Sequence, residues 1–405
     1  MKITENITGA RQMFKKFLIL SAVMAIISTA AVDAQEVKVI KRLTDRNPTL
    51  MYKDITGNPE LAKLIQSDLK YCGWFDLVDS GAEYFITGAA AGNQVQMVLA
   101  NGNGTTLFTV NSPITQNLRT AAHKAVDAIL KKKFSIAGIC STRIAFAGET
   151  QPGKKEIFTC DFDGQNILQL TNSSSLSVEP DWIPKRDAIV YTLYMKRFTD
   201  IVELDVPSRR SRSLAQFPGL NSGAAISPNG NVMALILSRD NQVELYIKSF
   251  AGREFQRLTN DISVEASPCW SPAGDKICYV SDKSGRPSLY VIDSRGGASV
   301  RLPTVGTEAV SPSWSADNKI AYSAKSGGYT IAVLDLSGKE PGKTVVNAAG
   351  DWESPSWAPD SRHVVCARKL GGNSSLYVID TWTGKARQLL GGKMNIVLPS
   401  WSGIK

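Results

Sequence analysis

The chain of 405 residues is 43% apolar and 20% charged, the balance of an ordinary globular protein rather than a disordered one. Its net charge of +9 is spread along the chain, with one short run at Lys131-Lys132-Lys133, so a nucleic-acid partner is not expected. The 32 Gly and 18 Pro are dispersed too, which implies many turns and therefore many short strands.

Lys15-Lys16 precede an apolar run from Phe17 to Val32, which ends in Val32-Asp33-Ala34 before Gln35. A positive start, an apolar middle and a small-x-small end predict a secretory signal peptide over residues 1–34. At 16 residues the run is short for a hydrocarbon layer of ~30 Å, so a cleaved signal is expected rather than an anchor. Met13 is an alternative start, because residues 1–12 add nothing that such a signal needs. The mature protein then begins near Gln35 with a net charge of +7, four basic and two acidic residues having left with the signal. Its expected location is periplasmic or extracellular.

Residues 35–138 read as a small α+β domain. Glu36-Val37-Lys38-Val39-Ile40 alternates with period two and predicts a strand, and Leu50-Met51-Tyr52 a second. Asn58-Pro59 opens a helix from Glu60 to Tyr71 with Leu61, Leu64, Ile65 and Leu69 on one face, and Gly73 stops it. Strands follow at 75–78, 84–88, 94–99 and 106–110, the last two flanking the hairpin signal Asn101-Gly102-Asn103-Gly104. A second helix, Leu118 to Lys132, turns Ala122, Ala125, Val126, Ile129 and Leu130 inward. His123 on this helix has no partner in a recognisable motif and reads as structural. Lys131-Lys132-Lys133 complement the helix dipole.

Residues 139–405 repeat. Trp182, Ile226, Trp270, Trp314, Trp357 and Trp401 stand 44, 44, 44, 43 and 44 residues apart. Each unit reads as four strands: one with the tryptophan, one like Ile277-Cys278-Tyr279, one like Leu289-Tyr290-Val291, and one after a glycine turn. Four short antiparallel strands in about 44 residues predict a propeller blade. The unit opening at Ile144 lacks its own first strand, and Pro399-Ser400-Trp401 is one to spare. The expected fold is therefore mainly β, a six-bladed β-propeller closed by the C-terminal strand and preceded by the α+β domain. Closure leaves no sticky sheet edge between the ends of the array. The repeated tryptophans are expected to pack between blades. Trp352 and Trp382 lie outside the repeat, Trp352 in a loop just before a first strand.

Six Cys in an exported chain raise the question of disulfides. A four-residue loop between Ser271 and Lys276 would put Cys269 opposite Cys278, as either a cross-strand disulfide or two small thiols. With two His and no Cys-x-x-Cys, no metal and no other cofactor is expected. No Gly-x-Ser-x-Gly elbow, Asp-box set or histidine cluster supports an enzyme, and a binding scaffold is the expectation.

The candidate recognition surface is the ring of loops leading into the first strands. It includes Glu179; Leu220, Asn221, Ser222 and Gly223; Glu265, Ala266 and Ser267; Glu308; and Trp352 and Glu353. Four of the six loops carry a Glu at nearly one register. These acids either bind a basic peptide or a cation, or accept backbone hydrogen bonds from neighbouring loops.

The Arg119-Thr120-Ala121-Ala122-His123…Asp127 helix, Thr142-Arg143-Ile144-Ala145-Phe146, Gln169-Leu170-Thr171-Asn172-Ser173 and the repeated Trp-Ser-Pro-x-Gly and Leu-Tyr-Val-x-Asp motifs resemble the TolB family of the Tol-Pal system. The resemblance spans essentially the whole mature chain. It implies a monomeric, non-enzymatic periplasmic adaptor. One propeller mouth would bind a Pal-like peptidoglycan-associated lipoprotein, and Glu36, Val37, Lys38, Val39 and Ile40 would engage a TolA-like inner-membrane protein. Such an adaptor serves outer-membrane integrity and cell division, held at the outer membrane through its partners. Leu220 stands where the family pattern has a histidine that contributes to the Pal site, so the contact set implied here differs. The alternative is a TolB-like propeller that binds a glycan or another envelope protein.

Overall fold

Asn58 begins the described helical structure because its side chain can do what the backbone cannot. Its Oδ1 accepts from Leu61 N at 3.0 Å at the head of α1 (Pro59–Tyr71), and Pro59 occupies the first-turn position that needs no donor. Asn117 caps α2 (Leu118–Phe134) the same way, and Ser135 ends it in a left-handed conformation. The computed structural model describes residues 46–404 apart from 339–340, 347 and 393. The signal peptide and the Glu36–Ile40 segment lie outside the described residues. Pro48–Lys405 forms one compact unit.

Both helices lie against a five-stranded sheet of β1 (Thr49–Thr56), β2 (Asp76–Leu77), β3 (Tyr84–Ala91), β4 (Gln94–Asn101) and β5 (Thr106–Pro113). The strand order is β2-β1-β3-β4-β5, with β1 parallel to both neighbours and the other pairs antiparallel. Leu61, Ile65 and Leu69 of α1 and Val126 and Ile129 of α2 bury against Ile86, Val95, Met97 and Leu99. The same core continues into Phe146, Phe158, Phe162 and Val365, so the α+β part is cemented to the blades by apolar burial. Lys132 and Lys133, at the end of α2, lie over the rings of Phe108 and Tyr84.

Six four-stranded antiparallel sheets follow. Five are sequential in the chain. The other, blade 1, takes Arg143–Gln151, Lys154–Asp161 and Leu168–Gln169 from the start of the array and Ile396–Trp401 from the end of the chain, and the five sequential sheets are blades 2–6 in chain order. Trp401 pairs with Ile144 and Ile396 with Gly148, which closes the ring as the strand count predicts. Ser402 N donates to Arg143 O and Ser402 Oγ accepts from Arg143 N, fastening the seam just beyond the pairing. No described helix is long and apolar enough to cross a membrane.

Alternation along antiparallel strands fixes which end of each blade faces which way. The turns between first and second strands, and between third and fourth, share one face of the ring. The loops leading into the first strands share the other. The α+β part contacts the first of these faces. Trp74 Nε1 donates to Asp360 Oδ2 at 2.9 Å, and Arg119 Nε donates to Asp161 Oδ2 at 2.9 Å. Gly73 makes this approach possible: at φ +71°, a Cβ there would sit 2.3 Å from His363 Nε2.

Candidate functional site

The first strands are Ser177–Trp182, Asn221–Ile226, Glu265–Trp270, Ala309–Trp314, Asp351–Trp357 and Ile396–Trp401. They line a central cavity of about 490 Å³. Each strand carries an irregularity at one place. Three residues before the tryptophan position stand Glu179, Gly223, Ser267, Ser311, Ser354 and Leu398, all with φ between 47° and 61°. The register with the second strand slips there in every blade. This is a β-bulge repeated six times, and it turns the following Pro or Ala toward the channel. Proline is tolerated because the first strand is an inner edge whose outward N–H has no ladder partner to lose.

Two residues beyond the bulge stand Asp181, Ala225, Cys269, Ser313, Ser356 and Ser400, and all but Cys269 take part in hydrogen bonds between neighbouring blades. Ile226 N donates to Asp181 Oδ2 at 3.0 Å, Trp357 N to Ser313 Oγ at 3.2 Å and Trp401 N to Ser356 Oγ at 2.9 Å. Ser400 Oγ completes the arc by donating to Asp181 Oδ1 at 3.1 Å. The tryptophans add a second stitch with their indole N–H. Trp182 donates to Ser400 O, Trp270 to Ala225 O and Trp357 to Ser313 O, at 3.0–3.1 Å. Trp401 donates to Thr142 Oγ1 at 2.8 Å instead, and the buried Trp314 Nε1 has no acceptor. The indole donors of Trp182, Trp270 and Trp357 thus bridge neighbouring blades.

Glu179 and Asp181 are the charged side chains among the residues lining the cavity, and both come from blade 2. Burial pushes the Asp181 carboxyl up to about 6 against the pull of the Ile226, Ser400 and Trp182 donors. Glu179 Oε2 accepts from Gly223 N of the next blade at 2.9 Å and from Thr192 Oγ1 at 2.8 Å.

The four lead-in glutamates differ in position and in role. Counted back from the tryptophan position they stand at three (Glu179), four (Glu353), five (Glu265) and six (Glu308) residues, so they do not share a register. Glu265 is 1% exposed, and its Oε1 accepts from Ser281 Oγ at 2.9 Å while its Oε2 has no partner. Burial, then the nearby Asp261 and Glu244, hold its carboxyl up at about 7 against the Ser281 hydrogen bond. Glu308 is partly exposed and carries an ion pair. Lys325 Nζ lies 2.7 Å from its Oε1 and Tyr329 Oη donates to its Oε2 at 2.9 Å, so its carboxyl is held below its ordinary value. Glu353 is half-buried and raised by burial and by Asp351.

Trp352 does not sit in a loop. It lies within the strand Asp351–Trp357, 1% exposed, with its Nε1 donating to Ala348 O at 3.0 Å and Arg368 over its ring. Asn221 is fully buried, and its Nδ2 donates to Thr199 O and Phe217 O to shape the loop that carries Leu220. Leu220, Ser222, Gly223, Ala266 and Ser267 remain partly exposed around the mouth.

Of the lead-in acids, Glu179 takes the expected backbone hydrogen bond from a neighbouring loop, and acids outside that set pin loops as well. Glu156 accepts from Thr171 Oγ1, Ser173 Oγ and Ser174 N; Asp200 from Gln216 Nε2; and Glu244 from Asp261 N and Arg257 Nη2. These three acids open the third strands of successive blades and stand 44 residues apart, a spacing visible in the sequence.

His123 does have carboxylate partners, brought from distant segments. Its Nδ1 lies 2.7 Å from Asp68 Oδ2 on α1, and its Nε2 lies 3.6 Å from Asp161 Oδ2 on blade 1. Burial pulls its pKa down, but Asp161 and Asp68 outweigh that and hold it at about 9. Burial in turn pushes Asp68 up to about 6. The second histidine belongs to the same face. His363 Nδ1 lies 2.7 Å from Asp360, and Arg362 beside it is sandwiched between the Trp74 and Trp382 rings at 4.7 and 4.5 Å. Cys269 faces Cys278 across the strand pair as predicted, and all six cysteines are free thiols. Among the described residues, no group of three His, Cys, Asp or Glu side chains is placed to hold a metal ion.

The family profile described as TolB beta propeller domain matches residues 131–405. The chain is 27% identical over 267 residues to "Protein TolB homolog" of Chlorobium luteolum, covering 58% of this chain and 60% of that one. It is 27% identical over 258 residues to "Tol-Pal system protein TolB" of Francisella tularensis, covering 60% of this chain and 58% of that one. The matches thus span under two thirds of these relatives' length. The crystal structure of TolB from Acinetobacter baumannii superposes with a TM-score of 0.80 at 24% identity, over 88% of this chain and 96% of that one, and shares the fold.

Proposed function

This chain belongs to the TolB beta-propeller family, and from that membership we propose that it is a non-enzymatic periplasmic adaptor of the Tol-Pal system. Its propeller mouth binds a Pal-like lipoprotein, and its N-terminal segment Glu36–Ile40 engages a TolA-like inner-membrane protein, in support of outer-membrane integrity and division. The observation that carries the reading is the division of the ring's two faces. Among the described residues, the α+β part occupies the turn face through Trp74 and Arg119, which leaves the lead-in loops and the channel mouth open on the other side. Around that mouth lie a partly exposed carboxylate, Glu308, and exposed apolar side chains, Ile262 and Val264. Such a rim suits a protein partner, with apolar contacts for affinity and charge for orientation.

The mature protein, immobilised, should recover an OmpA-like lipoprotein from detergent-solubilised envelope. Glu308→Lys should weaken recovery about tenfold, a rim-charge effect that grows at low salt. Glu265 is unsuitable for charge reversal, because a buried Lys would unfold the loop rather than probe the surface. Recovery of no lipoprotein, together with retention on a glycan column, overturns the adaptor reading in favour of glycan binding.

A further inference from the structure

The cross-strand position occupied by Cys269 and Cys278 recurs in every blade, and the other five fill it differently. The equivalent pairs are Asp181 with Val190, Ala225 with Ala234, Ser313 with Ala321, Ser356 with Val365, and Ser400 with Ala145. Among these six pairs, two thiols meet in blade 4 alone. Cys269 lines the central cavity and is partly exposed, whereas Cys278 behind it is fully buried. Directly opposed residues of an antiparallel pair bring their Cα atoms to about 4.5–5.5 Å, inside the roughly 4.4–6.8 Å that a disulfide spans.

We propose that Cys269 and Cys278 form an oxidisable dithiol, opened to the solvent by the channel and closed to a cross-strand disulfide by a small organic disulfide or a thiol oxidoreductase. The Cys269 thiolate attacks one sulfur of the external disulfide and releases one thiol. The Cys278 sulfur then displaces the second thiol from Cys269. Two protein thiols are oxidised, one external disulfide is reduced to two thiols, and the two protons from Cys269 and Cys278 end on those released thiols. Burial, first, and the neighbouring Cys269 hold the Cys278 thiol well up, so the second displacement is the slow one and speeds up at higher pH. The product would tie the inner strand pair of one blade at the channel wall.

The test incubates the folded, reduced full chain with hydroxyethyl disulfide at alkaline pH, then alkylates it under denaturing conditions and weighs it. The expected result is a fall by two in the alkylated count from six, a loss of about 2 Da in the unalkylated mass, and a peptide linking 269 to 278. Cys269→Ser, which installs the side chain that three other blades carry there, should keep all its remaining thiols under the same treatment. Retention of six thiols overturns the proposal. So does a Cys269 adduct that Cys278 never displaces, or a linkage between any other pair.

Discussion

The two tryptophans Trp357 and Trp314 occupy the same place in adjacent blades but differ in one hydrogen bond, and replacing each by Phe isolates it. Trp357 is 7% exposed and its indole N–H donates to Ser313 O at 3.0 Å. Phe leaves a void of about 40 Å³ there, which costs about 1 kcal/mol at ~24 cal/mol per Å³. It also leaves the carbonyl unpaired, for about 1–2 kcal/mol more. Trp357→Phe should therefore lose about 2–3 kcal/mol. Trp314 Nε1 is buried without an acceptor. Phe at 314 opens a similar void but removes a donor that already costs about 1–2 kcal/mol, so the net change should be close to zero. Urea unfolding of the full chain reads the gap as a difference in midpoint at unchanged slope. Equal losses at both sites, or a larger loss at 314, would refute the assignment of the blade stitch to the indole N–H.

Stability should also fall with rising pH through His123. Its value is raised from 6.5 to about 9, so its stabilisation is complete below about 6.5 and is lost as pH climbs through about 9. His123→Gln should flatten that slope by about 2–3 kcal/mol across the window, and an unchanged pH profile of unfolding would exclude His123 as its source. At the same face, Arg362→Lys removes the fork that holds both Asp380 oxygens between the Trp74 and Trp382 rings. A loss of about 2–4 kcal/mol in urea, with a changed tryptophan fluorescence, is expected; a Lys variant as stable as the parent contradicts the planar clamp.

The repeat and its closure were legible because they rest on local chemistry that recurs: a tryptophan, or Ile226 in its place, every 43 or 44 residues, a turn after it, and one strand left over. Both helices were legible too, and so was the start at Asn58, since a cap needs only its own next turn; the matching cap at Asn117 emerged with the structure. The Cys269–Cys278 register followed from counting across one hairpin.

What the chain order could not display was which side chains meet from far apart. His123 acquires Asp68 and Asp161 from segments 55 and 38 residues away, and Trp74 acquires Asp360 from 286 residues away. The lead-in glutamates looked alike in sequence, yet depth in the fold separates them: Glu265 is buried with an unpartnered oxygen, and Glu308 is partly exposed with Lys325 and Tyr329. The sequence alone determined six blades, their tryptophan positions and the strand that closes them, because period and strand count are properties of the chain. Only the tertiary structure decided which acids pin loops and which face the described α+β part covers. Those outcomes depend on burial and on contacts between distant segments, which no local pattern encodes.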